Sequence, residues 1–288
     1  MCPKTRGGSP RDYDPRLPPI AEHRDTLDGQ PVFWRSAAGE AGAAPVLHVH
    51  GVPTSADDWT PFLERGGGIA PDLPGFGRSG KRADGAYTME GYDRWLEAFL
   101  DHIEVDRFRL LVHDWGGVGL LLAQRFPERV ERLAIVNAVP FLPGYRWHRL
   151  ARMWRTAGVG EVLMGATSRF ALKQLSREAN ATKGPLPAAM LDGVMAGFDL
   201  GTQRAILRLY RSSPPEKLAL AGLGLGRIDC PALVVWGDRD PYIPAEFADA
   251  YAAALGGPAE VLHLPDAGHW PWLDRPDLVG TLVDFLSG

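Results

Sequence analysis

Residues 110–121 read LLVHDWGGVGLL, and this stretch decides both the fold and the search for a functional site. The apolar run at 109–115 predicts a buried strand, and residues 117–126 predict a helix that Pro127 closes. Asp114 falls at the junction, where a carboxylate adds nothing to a buried strand and interrupts a stretch that favours a helix. Local misfits of this kind are typical of functional sites. Asp114 is therefore the first candidate functional residue.

Short apolar runs alternate with helical patterns along most of the chain. The predicted strands are VFWRSA (32–37), PVLHVHG (45–51), GIAPDLPG (68–75), RLLVHDW (109–115), RLAIVNAV (132–139), PALVVWGD (231–238) and AEVLHLPDAGH (259–269). The predicted helices are YDRWLEAFLDHI (92–103), GVGLLLAQRF (117–126), AEFADAYAAAL (245–255) and PDLVGTLVDFL (276–286). This alternation predicts an α/β fold, a mostly parallel sheet covered by helices. TPFLERGGG (60–68) is short, which predicts a short first covering helix.

The stretch between 141 and 217 interrupts this alternation. It contains helical patterns such as YRWHRLARMW and TQRAILRLYR but no apolar run that predicts a strand. We therefore expect a helical cap at 141–217, inserted into an α/β core formed by 21–140 and 218–288. Ligands bind at the carboxyl ends of the strands in open parallel sheets, and a cap inserted there would cover that site. Residues 1–20 are rich in proline and charge, which predicts a disordered tail.

The composition disfavours several classes of partner. The 288 residues carry a net charge of −4 with both signs mixed, so no basic stripe predicts nucleic-acid binding. Charges in RWHRLARMWR (146–155) alternate with apolar residues, which predicts an amphipathic helix. Cys2 and Cys230 are far apart in the sequence, which fits a reducing compartment better than a disulfide. Because the sequence shows no signal-like segment and no apolar window of about 18 residues, we expect a cytoplasmic protein without membrane contact.

Two further side chains follow the last two predicted strands. Asp240 lies three residues past Gly237 in the loop WGDRDPYIP, and His269 lies in DAGHWPW. Since the carboxyl ends of parallel strands meet at one edge of a sheet, we expect Asp240 and His269 to lie near Asp114. Their order along the chain, nucleophile then acid then histidine, is one of the known orders of a catalytic triad.

The turn at Asp114 has the features of an elbow that lifts one side chain above a sheet. Gly116 supplies the small residue two places after the carboxylate, whereas Val112 stands where the usual pattern has a second glycine. Such a turn aims the backbone N–H of Trp115 into the site. The backbone N–H of Val52, in HVHGVPTS, is placed to join it, so these two amides are the predicted oxyanion hole.

Five motifs, HGVP, DLPGFGRSG, HDWGG, GDRD and AGHW, together resemble the α/β-hydrolase superfamily. More narrowly, they resemble its aspartate-nucleophile branch, the epoxide hydrolases and haloalkane dehalogenases. The resemblance covers residues 21–288 and is strong in the core but weak in the cap, where these enzymes select substrates. It implies that Asp114 is the nucleophile, His269 the general base and Asp240 the acid that orients it. It implies no metal and no organic cofactor.

An aspartate nucleophile restricts the chemistry. A carboxylate that attacked an ester or amide would give an anhydride, so esterase and peptidase activities are disfavoured. The same carboxylate can displace a leaving group from saturated carbon and form an alkyl ester. Water activated by His269 would then attack the carbonyl carbon of Asp114. Two leaving groups remain open, an epoxide oxygen and a halide.

The two leaving groups need different donors. ILRLYRSS (206–213) resembles the segment in which epoxide hydrolases carry a ring-opening tyrosine, so Tyr210 is the candidate acid. His148 and Tyr145 remain open as the second donor that epoxide hydrolases usually have. A halide needs two N–H donors, and Trp115 would supply one of them.

The second halide donor would be Trp147 or Trp154, which we expect to contact substrate together with His50 and His148. Aromatic and aliphatic side chains of the cap predict an apolar substrate; they are Phe141, Trp147, Trp154, Phe170 and Leu209. We expect an epoxide hydrolase that forms a vicinal diol. A haloalkane dehalogenase and a non-catalytic small-molecule binding module remain alternatives. The expected partners are a small apolar organic substrate and water, and a homodimer is left open.

Overall fold

The computed structural model describes residues 19–288, and an eight-stranded sheet forms the centre of this part of the chain. The strands are β1 (Ala21–Leu27), β2 (Gln30–Ala37), β3 (Val46–Val49), β4 (Gly68–Pro71), β5 (Phe108–Asp114), β6 (Val130–Ala138), β7 (Ala232–Gly237) and β8 (Ala259–Leu264). Across the sheet they lie in the order β1-β2-β4-β3-β5-β6-β7-β8. β2 is antiparallel to both of its neighbours, and the other pairs are parallel. The predicted α/β fold with a mostly parallel sheet is confirmed.

All seven predicted strands are present, although β8 ends at Leu264 rather than at 269. Strand β1 is not predicted by the sequence, because most of its side chains face solvent and it has no apolar run. It is held by antiparallel pairing with β2 across the turn at Asp28 and Gly29. The predicted tail at 1–20 lies outside the described residues except for its last two positions.

Twelve helices accompany the sheet in the described residues. They are α1 (Thr60–Gly66), α2 (Met89–His102), α3 (Gly119–Arg125), α4 (Arg149–Arg155), α5 (Val159–Gly165), α6 (Arg169–Leu175), α7 (Ala188–Gly197), α8 (Leu200–Ser212), α9 (Pro215–Ala221), α10 (Glu246–Ala254), α11 (Pro271–Asp274) and α12 (Leu278–Ser287). The four predicted helices correspond to α2, α3, α10 and α12. Helix α1 has only seven residues, which agrees with the short covering helix that its sequence predicts.

The central strands β5, β6 and β7 are buried on both faces of the sheet, which explains why they are continuous apolar runs. On β5, Leu110 and Val112 pack on one face together with Leu96 of α2. Leu111 packs on the other face together with Leu282 of α12. Burial of each such leucine contributes about 1.5–3 kcal/mol, so the two helical layers hold β5, and with it Asp114, firmly in place.

Helices α4 to α9 lie between β6 and β7, and this part of the chain contains no strand. It includes the predicted cap at 141–217, although α9 continues past that boundary to Ala221. Its role as a cap stays a prediction. Within residues 19–288, no helix has the length and apolarity needed to cross a membrane.

Candidate active site

Asp114 ends β5 in a left-handed backbone conformation, with φ 50° and ψ −124°. For a residue other than glycine this conformation costs about 1–3 kcal/mol, and such strain concentrates at functional sites. A 3₁₀ turn at Trp115–Val118 leads directly into α3. Two glycines permit the turn: a Cβ on Gly116 would lie 1.9 Å from the carbonyl oxygen of Val49, and one on Gly51 would lie 2.4 Å from the Cβ of Asp114. The carboxylate is thereby lifted off the end of the strand.

Gly116→Ala should lower the free energy of unfolding by about 1–3 kcal/mol, because the added methyl group overlaps the Val49 carbonyl and forces the backbone to move. Urea denaturation measures this loss. Gly117→Ala is the matched control, since a Cβ there would meet the Cβ of Ala138 at an ordinary 3.5 Å. Equal losses in the two variants would contradict a special role for the close approach at Gly116.

The two oxygens of the Asp114 carboxylate have different surroundings. Oδ1 accepts the backbone N–H of Val52 at 2.8 Å, whereas Oδ2 lies 3.7 Å from Nε2 of His269. The pKa of Asp114 is raised, because burial outweighs the charge of His269 and the hydrogen bonds from the backbone N–H groups of Val52 and Trp115. The two amides predicted as an oxyanion hole therefore surround the carboxyl group, and their catalytic role stays a prediction.

The imidazole of His269 lies between two carboxylates. Its Nδ1 is 2.7 Å from Oδ2 of Asp240, and its Nε2 faces Asp114. Because Asp240 accepts the Nδ1 hydrogen, the neutral ring presents Nε2 as a proton acceptor. Burial lowers the pKa of His269, but the charge and hydrogen bond of Asp240 outweigh it, so this pKa lies above its ordinary value. The three predicted triad residues therefore lie together.

Asp240 is fixed by three further hydrogen bonds. Its Oδ2 accepts Nδ2–H of Asn137 at 2.7 Å, and its Oδ1 accepts the backbone N–H groups of Tyr242 and Ile243 at 2.8 and 3.1 Å. Asn137 is fully buried near the end of β6 with φ 40°, and its Oδ1 accepts the N–H of Gly237 at 2.9 Å. Asn137 is not predicted from the sequence, although a polar side chain inside the apolar run RLAIVNAV was an available signal.

A cavity of about 540 Å³ opens in front of these side chains. Val52, Asp114 and His269 line it from the sheet. Apolar side chains from the part of the chain between β6 and β7 form most of the other walls; they are Leu150, Met153, Leu163, Met164, Leu172, Leu175, Leu186, Val194, Phe198 and Ile206. The volume and the apolar lining suit a small organic molecule.

Tyr210 of α8 also lines this cavity and is almost completely buried. Burial and the charge of Asp114 raise the pKa of its phenol well above the ordinary value, so the hydroxyl keeps its proton at neutral pH. Among residues 19–288, no carbonyl or carboxylate accepts this hydroxyl hydrogen. Tyr210 therefore presents an unused O–H donor near Asp114.

His148 and Trp154 line the cavity as well, and their contact with a substrate stays a prediction. His148 precedes α4, and its Nδ1 accepts the backbone N–H of Ala151 at 3.4 Å. Burial lowers the pKa of His148 to about 4, so the ring is neutral at pH 7. With Nδ1 acting as an acceptor, the hydrogen of the neutral ring is on Nε2.

The structure corrects the predictions that His50 and Trp147 contact substrate. The ring of His50 is fully buried away from the cavity, with Nδ1 2.8 Å from the carbonyl oxygen of Gly51 and Nε2 accepting the N–H of Leu73 at 2.9 Å. Trp147 is also absent from the cavity lining, and its indole N–H donates to the carbonyl of Ser213 at 2.9 Å. The polar atoms of both side chains are therefore already hydrogen-bonded to backbone groups.

The apolar cap residues are only partly placed as the sequence predicts. Trp154 lines the cavity, but Phe141 and Leu209 are buried elsewhere in the core, and Phe170 is 72% exposed. Tyr145 does not line the cavity, and its hydroxyl donates to a backbone carbonyl at 3.3 Å. The apolar character of the cavity therefore comes mostly from leucine and methionine side chains of the same helices.

Two aromatic side chains complete the surroundings of the site. Tyr242 is not predicted from the sequence; it lines the cavity, and its ring meets the His269 ring edge-on at 5.0 Å. The indole N–H of Trp115 is buried and donates to no carbonyl or carboxylate within residues 19–288; it lies near the hydroxyl of Tyr210, and the two rings are 5.2 Å apart. The same part of the chain holds no cluster of three or more His, Cys, Asp or Glu side chains that could bind a metal ion.

The chain is similar to a known family and to several known proteins. A family model described as alpha/beta hydrolase fold matches residues 44–276. The chain is 29% identical over 275 residues to a haloalkane dehalogenase of Mesorhizobium japonicum, covering 85% of each chain. Its structure is similar to that of haloalkane dehalogenase DbeA from Bradyrhizobium elkani USDA94, with a TM-score of 0.79 and 27% identity over 94% of this chain and 98% of that one. It also shares its fold with the epoxide hydrolase CorEH, with a TM-score of 0.78 and 19% identity over 93% of this chain and 99% of that one.

Proposed function

Because the chain belongs to the α/β-hydrolase fold family, we propose that it is an epoxide hydrolase that converts an apolar epoxide to a vicinal diol through an ester on Asp114. The observation that carries this proposal is the unused hydroxyl of Tyr210, which lines the same cavity as the Asp114 carboxylate. An epoxide needs a nucleophile for carbon and a proton donor for oxygen, and these two side chains supply both.

In the proposed first step, Oδ2 of Asp114 attacks a ring carbon, because Oδ1 is held by the N–H of Val52. The carbon–oxygen bond of the ring breaks, and the departing oxygen takes the proton of the Tyr210 hydroxyl. The product of this step is a hydroxyalkyl ester on Asp114 and a phenolate on Tyr210.

In the second step, Nε2 of His269 takes a proton from water, and the water oxygen attacks the ester carbon of Asp114. The backbone N–H groups of Val52 and Trp115 stabilise the negative charge on the carbonyl oxygen. The ester bond then breaks and the diol leaves. One proton of the water ends on the released oxygen, and the other restores the hydroxyl of Tyr210.

Haloalkane dehalogenation is the second candidate, and one observation favours it. Trp115 is absent from the cavity lining, but its buried indole N–H, next to Asp114 in the chain, donates to no carbonyl or carboxylate within residues 19–288 and is free to bind a halide. A second N–H donor is harder to find, because Trp147 donates to Ser213 and Val52 has no donor in its side chain. Three N–H groups of the cavity lining remain as candidates: the indoles of Trp154 and Trp270 and the Nε2–H of His148. A non-catalytic binding module would need neither the hydrogen-bonded Asp240–His269 pair nor the strain at Asp114.

Parallel assays of styrene-type epoxides and 1-haloalkanes with the purified protein test this proposal. Diol formation without halide release supports the epoxide hydrolase. Halide release without diol formation would replace it with the dehalogenase. Neither product, with ligand binding still detectable, would favour the binding module.

Tyr210→Phe should slow epoxide opening by about 10²–10⁴-fold, because the departing oxygen loses its proton donor. The same change should leave halide release almost unaltered, since a halide needs no proton. Single-turnover formation of the ester measures the effect. Tyr145→Phe is the matched control, because Tyr145 does not line the cavity and its hydroxyl already donates to the backbone carbonyl of Tyr242. An unchanged rate of ring opening in Tyr210→Phe would remove this tyrosine from the reaction.

A further inference from the structure

Two loops are hydrogen-bonded to each other next to the site. One carries His269, and the other is the 179–182 segment, which lies between α6 and α7. The backbone N–H of His269 donates to the carbonyl of Ala179 at 2.7 Å. The two backbones are in close contact, because a Cβ on Gly268 would lie 2.4 Å from the carbonyl oxygen of Ala179 and 2.7 Å from the Cα of Asn180. On the opposite side, the carbonyl of His269 lies 2.7 Å from Nε2 of His113 on β5.

The carboxylate of Asp274 is hydrogen-bonded to both the His269 loop and the 179–182 segment. Oδ2 of Asp274 accepts the backbone N–H of Gly268 and that of Ala181, each at 2.9 Å. Oδ1 accepts the backbone N–H of Thr182, also at 2.9 Å. Burial opposes ionisation, but the three backbone donors outweigh it and lower the pKa of Asp274 below its ordinary value. Hydrogen bonds to an ionised acceptor are about twice as strong as neutral ones.

The 179–182 segment belongs to a stretch that forms part of the cavity wall. Ser176 and Glu178 before it, and Leu186 after it, line the cavity. A shift of this stretch would therefore change the cavity and, through Asp274, the loop that holds His269. Asp274 itself does not line the cavity, so it has no direct contact with a substrate.

We propose that Asp274 is a positioning residue, which ties the 179–182 segment to the loop of His269 and so holds the imidazole at the distance from Asp114 that water activation requires. This inference rests on the proposed two-step reaction. Ester formation uses Asp114 and Tyr210, whereas ester hydrolysis uses His269. Loss of Asp274 should therefore slow the second step selectively.

Asp274→Asn is the test, because the amide keeps the shape of the side chain but presents an NH₂ group to at least one backbone N–H. A small misplacement far from the chemistry can cost about 10²-fold, so we expect kcat to fall by about 10–100-fold while kcat/KM stays within about twofold. Both kcat and KM fall together when ester hydrolysis becomes limiting. Intact-protein mass spectrometry should show more ester on the enzyme at steady state.

Asp277→Asn is the matched control, since Asp277 is an exposed carboxylate on the same stretch whose one ionic partner within residues 19–288 is Arg275. It should change neither constant. Asp274→Glu keeps the charge and should recover part of the loss, and it serves as the second variant if Asp274→Asn is too unstable to assay. A fall in kcat/KM as large as that in kcat, or a folded Asp274→Asn with wild-type kcat, would overturn the inference.

Hydrogen exchange separates this inference from the proposed function. In Asp274→Asn, exchange should rise together at 180–182 and at 268–269, whether or not Asp114 forms an ester. Faster exchange at only one of the two places would contradict the connection. An absence of any ester on Asp114, even when hydrolysis is blocked at His269, would instead contradict the proposed function.

Discussion

Asp114→Asn should reduce turnover by at least about 10⁴-fold, the scale of loss measured when a catalytic nucleophile is removed. A neutral amide cannot displace a leaving group from saturated carbon as a carboxylate does. The fold should survive, because asparagine tolerates positive φ and its amide oxygen can still accept the N–H of Val52. Steady-state diol formation and thermal unfolding of the same preparation measure the two effects.

Asp28→Asn provides a matched control. Asp28 also has φ 50°, and it lies in the exposed turn between β1 and β2, far from the cavity. The same substitution at the same backbone angle should leave activity unchanged. Substantial turnover by Asp114→Asn, with the asparagine shown to be intact by peptide mass, would end the assignment of Asp114 as nucleophile.

His269→Gln should trap the ester intermediate. Ester formation needs no base, whereas hydrolysis loses a general base that typically contributes about 10²–10⁴-fold. After exposure to substrate, the peptide that contains Asp114 should therefore gain the mass of the epoxide. Glutamine is close to histidine in size, so the packing against Asp240 should change little.

His263→Gln is the corresponding control, because His263 is an exposed imidazole on β8 that pairs with Asp238 and with Asp249 of α10. It should turn over normally and accumulate no ester. If the Asp114 peptide of His269→Gln stays unmodified after prolonged exposure to a substrate that the wild-type protein converts, the two-step route is contradicted.

The buried strands and three site residues could be predicted from the sequence for physical reasons. A strand covered on both faces must be apolar throughout, so β5, β6 and β7 stand out. Asp114, Asp240 and His269 follow such strands, and parallel strands bring their carboxyl ends to one edge of the sheet. Strand β1 has no such signal, because its stability comes from pairing with β2 rather than from burial.

Residues whose placement depends on tertiary hydrogen bonds were less predictable. Nothing in the local sequence says that backbone groups bind both ring nitrogens of His50 or the indole N–H of Trp147. Asn137 and Asp274 act across long separations in the chain, on Asp240 and on the 179–182 segment. Their partners become visible only when the sheet edge and the surrounding loops are assembled.

The unequal surroundings of the two Asp114 oxygens have a consequence for the fate of atoms in the proposed reaction. Oδ1 stays under the amide of Val52, and the alcohol departs with Oδ2. The oxygen that water delivers stays on the protein as its replacement. Each diol therefore leaves with an oxygen atom that water delivered to Asp114 in the preceding cycle. The first diol carries the oxygen that Asp114 had when the protein was synthesised.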